Sequence, residues 1–272
     1  MQNMTIGIIG AGNMGRALAA GLGATPGGPH ALVYDHSGEA RQRATQQGLT
    51  VAETLAELVA WANVLVLAVK PQHIAALARE ITGDVAARHP LIVSVAAGIR
   101  TDALRHWLGS DRVARAMPNT PALIGAGATV LYAPPDISAG DRAQVEALLR
   151  PVSALWWVDD EDLMDAATAV SGSGPAYFFL VIEALAAAAV RAGLPEPLAV
   201  ELATATALGA ARMAGTGTES PAALRRQVTS PNGTTERAIQ SFMDQGIMTM
   251  FATAVEAARV RAAELGRELG GL

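Results

Sequence analysis

The sequence predicts an α/β domain followed by an all-α domain. Short β-branched runs alternate with alanine-rich helical stretches through about residue 160, the pattern of a doubly wound parallel sheet. After that point the strand signal stops, and helical segments follow one another with Pro or Gly at their junctions. We therefore divide the chain into domains at residues 1–160 and 161–272.

The predicted strands are residues 5–9, 31–35, 64–69, 91–95, 112–116, 129–132 and 155–158. The helices predicted between them are residues 14–22, 39–47, 72–81, 101–108 and 138–149. The run Val-Leu-Val-Leu-Ala-Val at 64–69 is apolar on both faces, which is typical of a parallel strand covered by helices on each side.

The second domain is predicted as helices over residues 161–169, 175–192, 197–214, 222–227, 235–245 and 247–269. Glu183 interrupts the apolar run at 175–191, which falls short of the roughly 20 residues of a membrane span, so we expect a buried helix. Alanine-rich helices leave more apolar surface than one chain can cover. We expect a homodimer, and a compact monomeric helical domain is the alternative.

The composition excludes several classes of protein. Of 272 residues, 51% are hydrophobic and 17% are charged, so the chain can bury a core and is not intrinsically disordered. Cysteine is absent, which removes disulfides, thiolate metal sites and cysteine nucleophiles. The net charge of −5 argues against a nucleic-acid partner. The first residues carry no Lys or Arg, so we expect no secretory signal, no membrane partner and a cytoplasmic location.

A glycine-rich loop follows the first predicted strand and opens a helix. Gly10, Gly12 and Gly15 fit the spacing G-x-G-x-x-G, with Asn13 and Met14 inside it. The first glycine permits the tight turn, the second lets a pyrophosphate approach, and the third brings the helix close to the strand. Free N–H groups at the helix start favour a phosphate. The loop predicts a Rossmann dinucleotide-binding domain, with a turn that binds nothing as the alternative.

The end of the second predicted strand bears on the choice of cofactor. Asp35 stands where an acidic residue accepts hydrogen bonds from the adenosine ribose and repels a 2′-phosphate, which favours NAD. His36 and Ser37 follow at once, and either could contact a phosphate. Asp35 could instead cap the next helix. NADH and NADPH therefore both stay open as cofactors.

Three further strand ends suit a cofactor, because ligands of open α/β sheets bind beyond the carboxyl ends of the strands. Lys70, the only lysine, could reach a phosphate, a ribose or a substrate carboxylate, and a plain exposed helix start is the alternative. The small residues Ala97 and Gly98 would let a flat ring lie against the backbone. In the loop 117–121, two prolines stiffen the backbone around Asn119, whose amide could orient a nicotinamide.

Two segments of the second half also suggest a ligand. The run Ser-Gly-Ser-Gly-Pro at 171–175 breaks the helical pattern, and a plain helix junction is the alternative. The run Thr-Ser-Pro-Asn-Gly-Thr-Thr at 229–235 precedes a helix. Its N–H groups and hydroxyls make a natural carboxylate receptor, although helix capping explains them too. The five histidines lack metal-ligand spacing, so we expect no structural metal and surface positions for them.

Six motifs, in this order, resemble those of the pyrroline-5-carboxylate reductases. They are Gly-Ala-Gly-Asn-Met-Gly at 10–15, Ala-Val-Lys-Pro at 68–71, Ala-Ala-Gly at 96–98, Arg-Ala-Met-Pro-Asn-Thr-Pro at 115–121, Val-Ser-Gly-Ser-Gly-Pro-Ala-Tyr at 170–177 and Ser-Pro-Asn-Gly-Thr-Thr at 230–235. The resemblance spans nearly the whole chain, and the last three motifs are specific to that family. It implies a Rossmann domain, a helical domain that interlocks with a second subunit, and dimers that often assemble into decamers. The implied reaction is the NADPH- or NADH-dependent reduction of 1-pyrroline-5-carboxylate to L-proline, the last step of proline synthesis.

The resemblance also implies roles for individual residues. Thr235 would act as the catalytic residue by hydrogen-bonding the ring nitrogen of the imine, and the loop residues Ser230, Asn232, Gly233 and Thr234 would hold the substrate carboxylate. With the glycine loop and the strand ends, the residues expected at the cofactor are Gly10, Gly12, Asn13, Met14, Gly15, Asp35, His36, Ser37, Ala68, Val69, Lys70, Pro71, Ala97, Gly98, Asn119 and Pro121. Asn232 departs from the family's usual glycine. If φ is positive there, asparagine is the best-tolerated alternative.

Two other functions stay open at this point. A β-hydroxyacid dehydrogenase has a similar domain order but would need a catalytic lysine in the second domain, and no lysine follows Lys70. A non-catalytic sensor would bind NAD(P)H and ignore every imine, although the hydroxyl-rich loop before Thr235 argues against it. A protonated imine is already electrophilic, so its reduction needs placement and a hydrogen-bond donor more than a strong base.

Overall fold

A seven-stranded sheet organises the first part of the chain in this computed structural model, which describes residues 4–24 and 29–270. The strand order is β2-β1-β3-β4-β5-β6-β7. The strands are β1 Thr5–Ile9, β2 His30–Tyr34, β3 Val64–Leu67, β4 Leu91–Ser94, β5 Val113–Met117, β6 Gly127–Tyr132 and β7 Ser153–Trp157. Each predicted strand is present, and the predicted fold class is confirmed.

The directions of two strands, β6 and β7, differ from the expectation of a parallel sheet. β1 to β5 are parallel, but β6 runs antiparallel to β5, and β7 is parallel to β6. Only a 3₁₀ turn, Thr120–Ile124, joins β5 to β6. A parallel pairing requires a crossover of about a dozen residues or more, so this short connection reverses the strand direction.

The sheet is apolar on both faces because helices cover each face. Ile6, Ile8 and Val66 belong to one buried cluster, whereas Leu65 and Leu67 belong to another. Successive strand residues point to opposite faces, so this alternation places one cluster on each side of the sheet. All four residues of β3 are buried, as its uninterrupted apolar run predicted.

Helices connect the strands of the sheet. They are α1 Asn13–Gly23, α2 Gly38–Gln46, α3 Leu55–Trp61, α4 Pro71–Arg88, α5 Thr101–Leu108 and α6 Ala139–Leu149. The short helix α3 was not predicted. α4 continues beyond the predicted end at residue 81, because Ile81 and Val85 extend its buried face, and it ends at His89 with φ 52°.

The remainder is helical, as predicted. The helices are α7 Leu163–Ala167, a π-helical turn at Thr168–Gly172, α8 Gly174–Arg191, α9 Glu196–Gly215, α10 Pro221–Gln227, α11 Thr234–Asp244 and α12 Ile247–Gly270. By its contacts the chain forms two compact units, Met1–Ser173 with Ala257–Leu272, and Gly174–Glu256. The division at residue 160 that we predicted follows the end of the sheet at Trp157, whereas the compact units divide after α7 and the π-helical turn.

The apolar helix expected to be buried is largely exposed in the single chain. Only Gly174 and Ala186 of α8 are buried, whereas Phe178 and Phe179 are more than 60% exposed. The expectation is therefore wrong for one chain, because α8 packs chiefly against α9 and its other faces are left open. By length and composition alone, the helical segment Leu163–Arg191 could cross a membrane.

Candidate cofactor and substrate site

The glycine loop between β1 and α1 is held by close backbone contacts. Gly10 has φ 111°, and a Cβ atom there would lie 2.5 Å from the carbonyl oxygen of Ala68. A Cβ on Gly15 would lie 1.9 Å from the carbonyl oxygen of Gly10. The first and third glycines are therefore required by the fold itself.

No contact among the described residues requires a glycine at the second position. Gly12 is exposed, has an extended backbone at φ −70° and ψ −174°, and a Cβ there would meet no atom within 4 Å. It precedes α1, and no side chain caps that helix. Open space beside uncapped N–H groups at the positive end of a helix is suited to a pyrophosphate, so these residues fit a dinucleotide.

Asp35 braces the glycine loop. Its Oδ2 accepts a hydrogen bond from the Ala11 N–H at 2.8 Å, and its Oδ1 accepts one from the Ser37 N–H at 2.9 Å. The helix cap that we considered for Asp35 is supplied by Ser37, whose hydroxyl accepts from the Ala40 N–H at 3.3 Å. The carboxylate thus ties the end of β2 to the loop beside it.

Arg41 also lies at the end of β2, and the sequence analysis missed it. Its Nη1 donates to the carbonyl oxygens of Asp35 and His36, the latter at 3.2 Å. The guanidinium lies 5.4 Å from the centre of the Tyr34 ring, and the Tyr34 and His36 rings stand nearly perpendicular with their centres 5.6 Å apart. Arg41 could have been found from the sequence as a basic residue one turn into the helix that follows β2.

The ends of β3 and β4 place their residues differently. Ala68 donates its N–H to Ile9 at 2.7 Å, so the segment from Ala68 to Val69 lies directly against the glycine loop. Lys70 is exposed, directly before Pro71 opens α4. After β4, Ala97 is half-buried and Gly98 has φ 79°.

Asn119 and Pro121 lie in the loop after β5. The Asn119 side chain is buried, and its amide is used inside the protein: Oδ1 accepts from the Ala128 N–H at 2.9 Å, and Nδ2 donates to the Ser171 carbonyl oxygen at 3.0 Å. These bonds fix the loop to β6 and to the π-helical turn. Asn119 therefore orients the loop, whether or not it also contacts a ligand directly.

The run at 171–175 interrupts the α-helical pattern, as predicted, because α7 ends at Ala167 and α8 begins only at Gly174. Helical winding is not lost, however. It continues as a π-helical turn, in which the Ser173 N–H donates to the Thr168 carbonyl oxygen at 2.9 Å. Pro175 falls in the first turn of α8, where a missing N–H costs nothing. Gly172 admits Met117, whose Cε lies 2.6 Å from where a Cβ would be. Turns of this kind are frequent at functional sites.

A cavity of about 610 Å³ adjoins Gly98 in the first unit. A buried ion pair stands beside it: the Glu161 carboxylate accepts from Arg115 Nη1 at 2.7 Å, and from the Thr101 N–H and hydroxyl at 2.8 and 2.7 Å. Burial raises the pKa of Asp165 on the cavity wall, although the neighbouring arginines Arg115 and Arg100 oppose that rise.

The hydroxyl-rich loop before α11 lies in the second unit. Asn232 has φ 59°, which confirms that this position needs a left-handed residue that asparagine tolerates. Its N–H donates to Glu236 Oε2 at 2.8 Å, and Gly233 donates to the Ser230 carbonyl oxygen at 3.0 Å. A Cβ on Gly233 would lie 2.7 Å from Ser230 Oγ, so the turn is closed tightly.

An open groove of about 490 Å³ runs along the start of α11. Its walls are Asn232, Gly233, Thr234, Glu236, Arg237 and Gln240, and the Glu236 carboxylate is held by the Asn232 N–H. No side chain caps α11. Arg237, which the sequence analysis also missed, brings a positive charge to the groove. A helix start with a cation beside it is suited to a carboxylate.

The predicted surface positions of the histidines are confirmed, since all five are exposed. Among residues 4–24 and 29–270, no group of three or more His, Asp or Glu side chains could hold a metal ion.

A glycine loop at the start of a doubly wound sheet, with an uncapped helix behind it, defines the class of NAD(P)-dependent oxidoreductases. Comparison with known proteins agrees. Residues 5–98 match the family model described as NADP oxidoreductase, coenzyme F420-dependent, and residues 161–265 match pyrroline-5-carboxylate reductase dimerisation.

The relatives extend this match to the whole chain. A pyrroline-5-carboxylate reductase of Pseudomonas aeruginosa is 47% identical over 99% of this chain and 100% of its own. The structure of the Coxiella burnetii reductase superposes with a TM-score of 0.90 at 38% identity, covering 97% of this chain and 98% of that one. The Plasmodium falciparum enzyme, solved with NADP bound, gives a TM-score of 0.85 at 28% identity over 98% and 99%.

The chain belongs to the pyrroline-5-carboxylate reductase family. It is an NAD(P)H-dependent reductase that converts 1-pyrroline-5-carboxylate to proline, a reaction of proline biosynthesis.

Proposed function

We propose that the glycine loop and strand ends of the first unit hold the cofactor and that the loop 230–235 of the second unit holds the imine acid. The observation that carries the proposal is the matched pair of uncapped helix starts, α1 behind Gly12 and α11 behind Gly233. Each presents N–H donors and a partial positive charge to an anion, one to a pyrophosphate and the other to a carboxylate.

The first unit binds and orients the cofactor. Gly10, Gly12, Asn13, Met14 and Gly15 form the phosphate cradle, and Asp35, His36 and Ser37 lie at its adenosine end. The residues proposed toward the nicotinamide are Ala68, Val69, Lys70, Pro71, Ala97, Gly98, Asn119 and Pro121. When bound, the reduced nicotinamide supplies the hydride for the C=N carbon. Asn119 contributes chiefly by fixing its loop against the π-helical turn.

The second unit binds the substrate and supplies the donor. The N–H groups of the first turn of α11, the hydroxyls of Ser230 and Thr234 and the cation of Arg237 hold the carboxylate. Asn232 gives the loop its left-handed turn, and the Gly233 N–H closes the loop on the Ser230 carbonyl oxygen. The Thr235 hydroxyl hydrogen-bonds the ring nitrogen. Placement in this geometry can supply about 7–11 kcal/mol of the reduction in barrier without a strong base.

The helical part of the chain also makes the dimer in this proposal. Large apolar side chains stand exposed along α8 and α9, among them Phe178, Phe179, Leu202 and Leu208. Exposed apolar side chains in this number typically mark an interface between subunits, which supports the proposed dimer. A homodimer that assembles further into a decamer, a cytoplasmic location and the absence of nucleic-acid and membrane partners complete the proposal. Sedimentation of the purified protein measures the assembly.

Loss of the Thr235 hydroxyl tests the proposed site. In an absorbance assay of NADPH oxidation with 1-pyrroline-5-carboxylate, we expect Thr235→Ala to lower kcat by about 100-fold or more, as loss of one well-placed donor does. NADPH affinity, measured by fluorescence, should stay within about twofold. Thr235→Ser keeps the hydroxyl and is the matched control. Equal losses in kcat and in cofactor affinity, or no rescue by serine, would contradict the role of Thr235.

A further inference from the structure

We propose that Arg41 is the residue that recognises the 2′-phosphate of NADPH, and that Asp35 braces the glycine loop for both cofactors instead of selecting NADH. The inference rests on the proposed function, since it takes the dinucleotide to lie on the loop at 10–15. It reverses the expectation drawn from residue type alone, in which an acidic residue at the end of β2 excludes a phosphate.

The first step concerns what the Asp35 carboxylate does. One of its oxygens accepts a hydrogen bond from a glycine-loop N–H, that of Ala11, and the other accepts from Ser37. Hydrogen bonds to a carboxylate are charge-assisted and compensate part of its charge. The bond to Ala11 is independent of which cofactor is bound. Loss of the carboxylate should therefore loosen the loop for NADH and NADPH alike.

The second step concerns the guanidinium of Arg41. Its Nη1 is anchored to two carbonyl oxygens at the end of β2, and its Nη2 lies 3.9 Å from where a Cβ of Gly38 would be. The free edge of the guanidinium thus lies against the first turn of α2, beyond the carboxyl end of β2. That is the place where the adenosine ribose of a Rossmann cofactor lies.

The third step concerns the charges around Arg41. Among the described residues no carboxylate forms an ion pair with it: Glu39 pairs with Arg43, and Glu80 lies 3.3 Å from His36 Nε2. The Nη2 and Nε donors of Arg41 form no hydrogen bond within that part of the chain either. Arginine presents such donors as a planar fork that matches a phosphate, and a cation already held at one nitrogen loses little freedom on binding.

Binding measurements separate these roles without relying on turnover. We would titrate NADPH, NADH, adenosine 2′,5′-bisphosphate and AMP into the wild-type protein and its variants by calorimetry. For Arg41→Ala, we expect NADPH and the bisphosphate to bind at least about tenfold more weakly, and NADH and AMP to stay within about twofold. Arg43→Ala removes a neighbouring guanidinium paired to Glu39 and is the matched control, expected to change none of the four.

Asp35→Asn tests the brace. Asparagine lacks the second acceptor oxygen, so one of the two hydrogen bonds from N–H groups is lost. The affinities for NADH and NADPH should therefore fall by a similar factor. A variant that binds NADPH more tightly and NADH more weakly would show that Asp35 is a selector and overturn this part. If Arg41→Ala weakened the binding of all four ligands equally, or of none of them, Arg41 would not be the residue that recognises the 2′-phosphate.

Two further measurements distinguish a loss of phosphate recognition from a loss of local structure. Because Arg41 also anchors the end of β2, Arg41→Lys keeps a cation and should retain part of the preference for the bisphosphate over AMP. In the wild type, NADPH affinity should fall more steeply with salt than NADH affinity, and Arg41→Ala should remove that difference. If the wild-type protein bound no dinucleotide, the cofactor site itself would be refuted. If it bound NADPH independently of Arg41, only this inference would fail.

Discussion

Three glycines distinguish what the fold requires from what the ligand requires. Gly15 meets the Gly10 carbonyl oxygen 1.9 Å from where its Cβ would lie, whereas Gly12 and Gly83 meet no atom within 4 Å. Gly12 lies at the proposed pyrophosphate, and Gly83 is exposed on α4, away from the glycine loop. Alanine at each position adds the same single carbon with three different consequences.

The expected magnitudes follow from these distances. At Gly15 the added carbon overlaps a backbone oxygen that no rotamer can move, so we expect unfolding to become easier by about 3 kcal/mol, the upper end of ordinary overpacking. At Gly12 stability should change by less than about 0.5 kcal/mol. At Gly83, inside a helix, alanine should stabilise the protein by about 0.5–1 kcal/mol.

Cofactor affinity should follow a different order. If the Cβ at Gly12 displaces the pyrophosphate from two N–H donors, each worth about 1.5–3 kcal/mol as a charge-assisted bond, at least about 100-fold in Kd is lost. Gly83→Ala should leave Kd unchanged. Urea denaturation monitored by circular dichroism measures stability, and NADPH fluorescence measures affinity.

The decisive variant is Gly12→Ala. A stable protein that no longer binds NADPH would match a glycine kept for the ligand. Undiminished NADPH binding by Gly12→Ala would refute the placement of the pyrophosphate. If Gly15→Ala were as stable as the wild type, the close packing of α1 on the loop would be wrong instead.

Two further predictions concern charged groups away from the cofactor. Glu161→Ala leaves the buried Arg115 guanidinium without its partner, so we expect the free energy of unfolding, measured by urea denaturation, to fall by about 3–5 kcal/mol. Glu161→Gln keeps an acceptor and should lower it by less. Equal losses in the two variants would contradict this reasoning. Burial opposes ionisation of Asp141, but hydrogen bonds from Arg112 and Ser138 hold its pKa below the usual value. Its stabilising effect is therefore complete above the unfolded pKa of about 3.9 and is lost as the pH falls through the lower native pKa. In acid unfolding, the wild type should have a higher free energy of unfolding than Asp141→Asn, and this difference should decrease only below about pH 4. A difference that stayed constant below about pH 4 would contradict the lowered pKa.

Local pattern was sufficient for most of the secondary structure. Each predicted strand is present, and the helix predicted at 101–108 has the observed bounds of α5. The omission of α3 was avoidable. Its Thr54 hydroxyl accepts from the Glu57 N–H at 3.1 Å, and Glu57 accepts from the Glu53 N–H at 2.9 Å. The sequence pattern Thr-x-x-Glu predicts this kind of helix cap.

Other features depend on contacts distant in sequence. The antiparallel direction of β6 follows from the short connection before it, which no residue type encodes by itself. The Ser-Gly-Ser-Gly-Pro run predicted a break in the helical pattern because glycine and proline usually end helices, but the form of that break could not be predicted. Here a π-helical turn includes Gly172 before α8 begins at Gly174, and the carbonyl oxygen of Ser171 accepts a hydrogen bond from Asn119, about fifty residues away in the chain.

Asp35 shows why cofactor preference is harder to predict than cofactor binding. The glycine loop could be recognised because its three glycines lie within six residues, from Gly10 to Gly15, even though the contact that constrains Gly10 comes from Ala68. Preference depends on the net field at one ribose oxygen, to which an acid and a base contribute with opposite sign. The acid is visible at the strand end, but its charge is partly compensated by two N–H groups. The base, Arg41, reaches the same place only because α2 turns back toward β2. On the proposal made for Arg41, an acidic residue at this position excludes a phosphate only where no such arginine is anchored beside it.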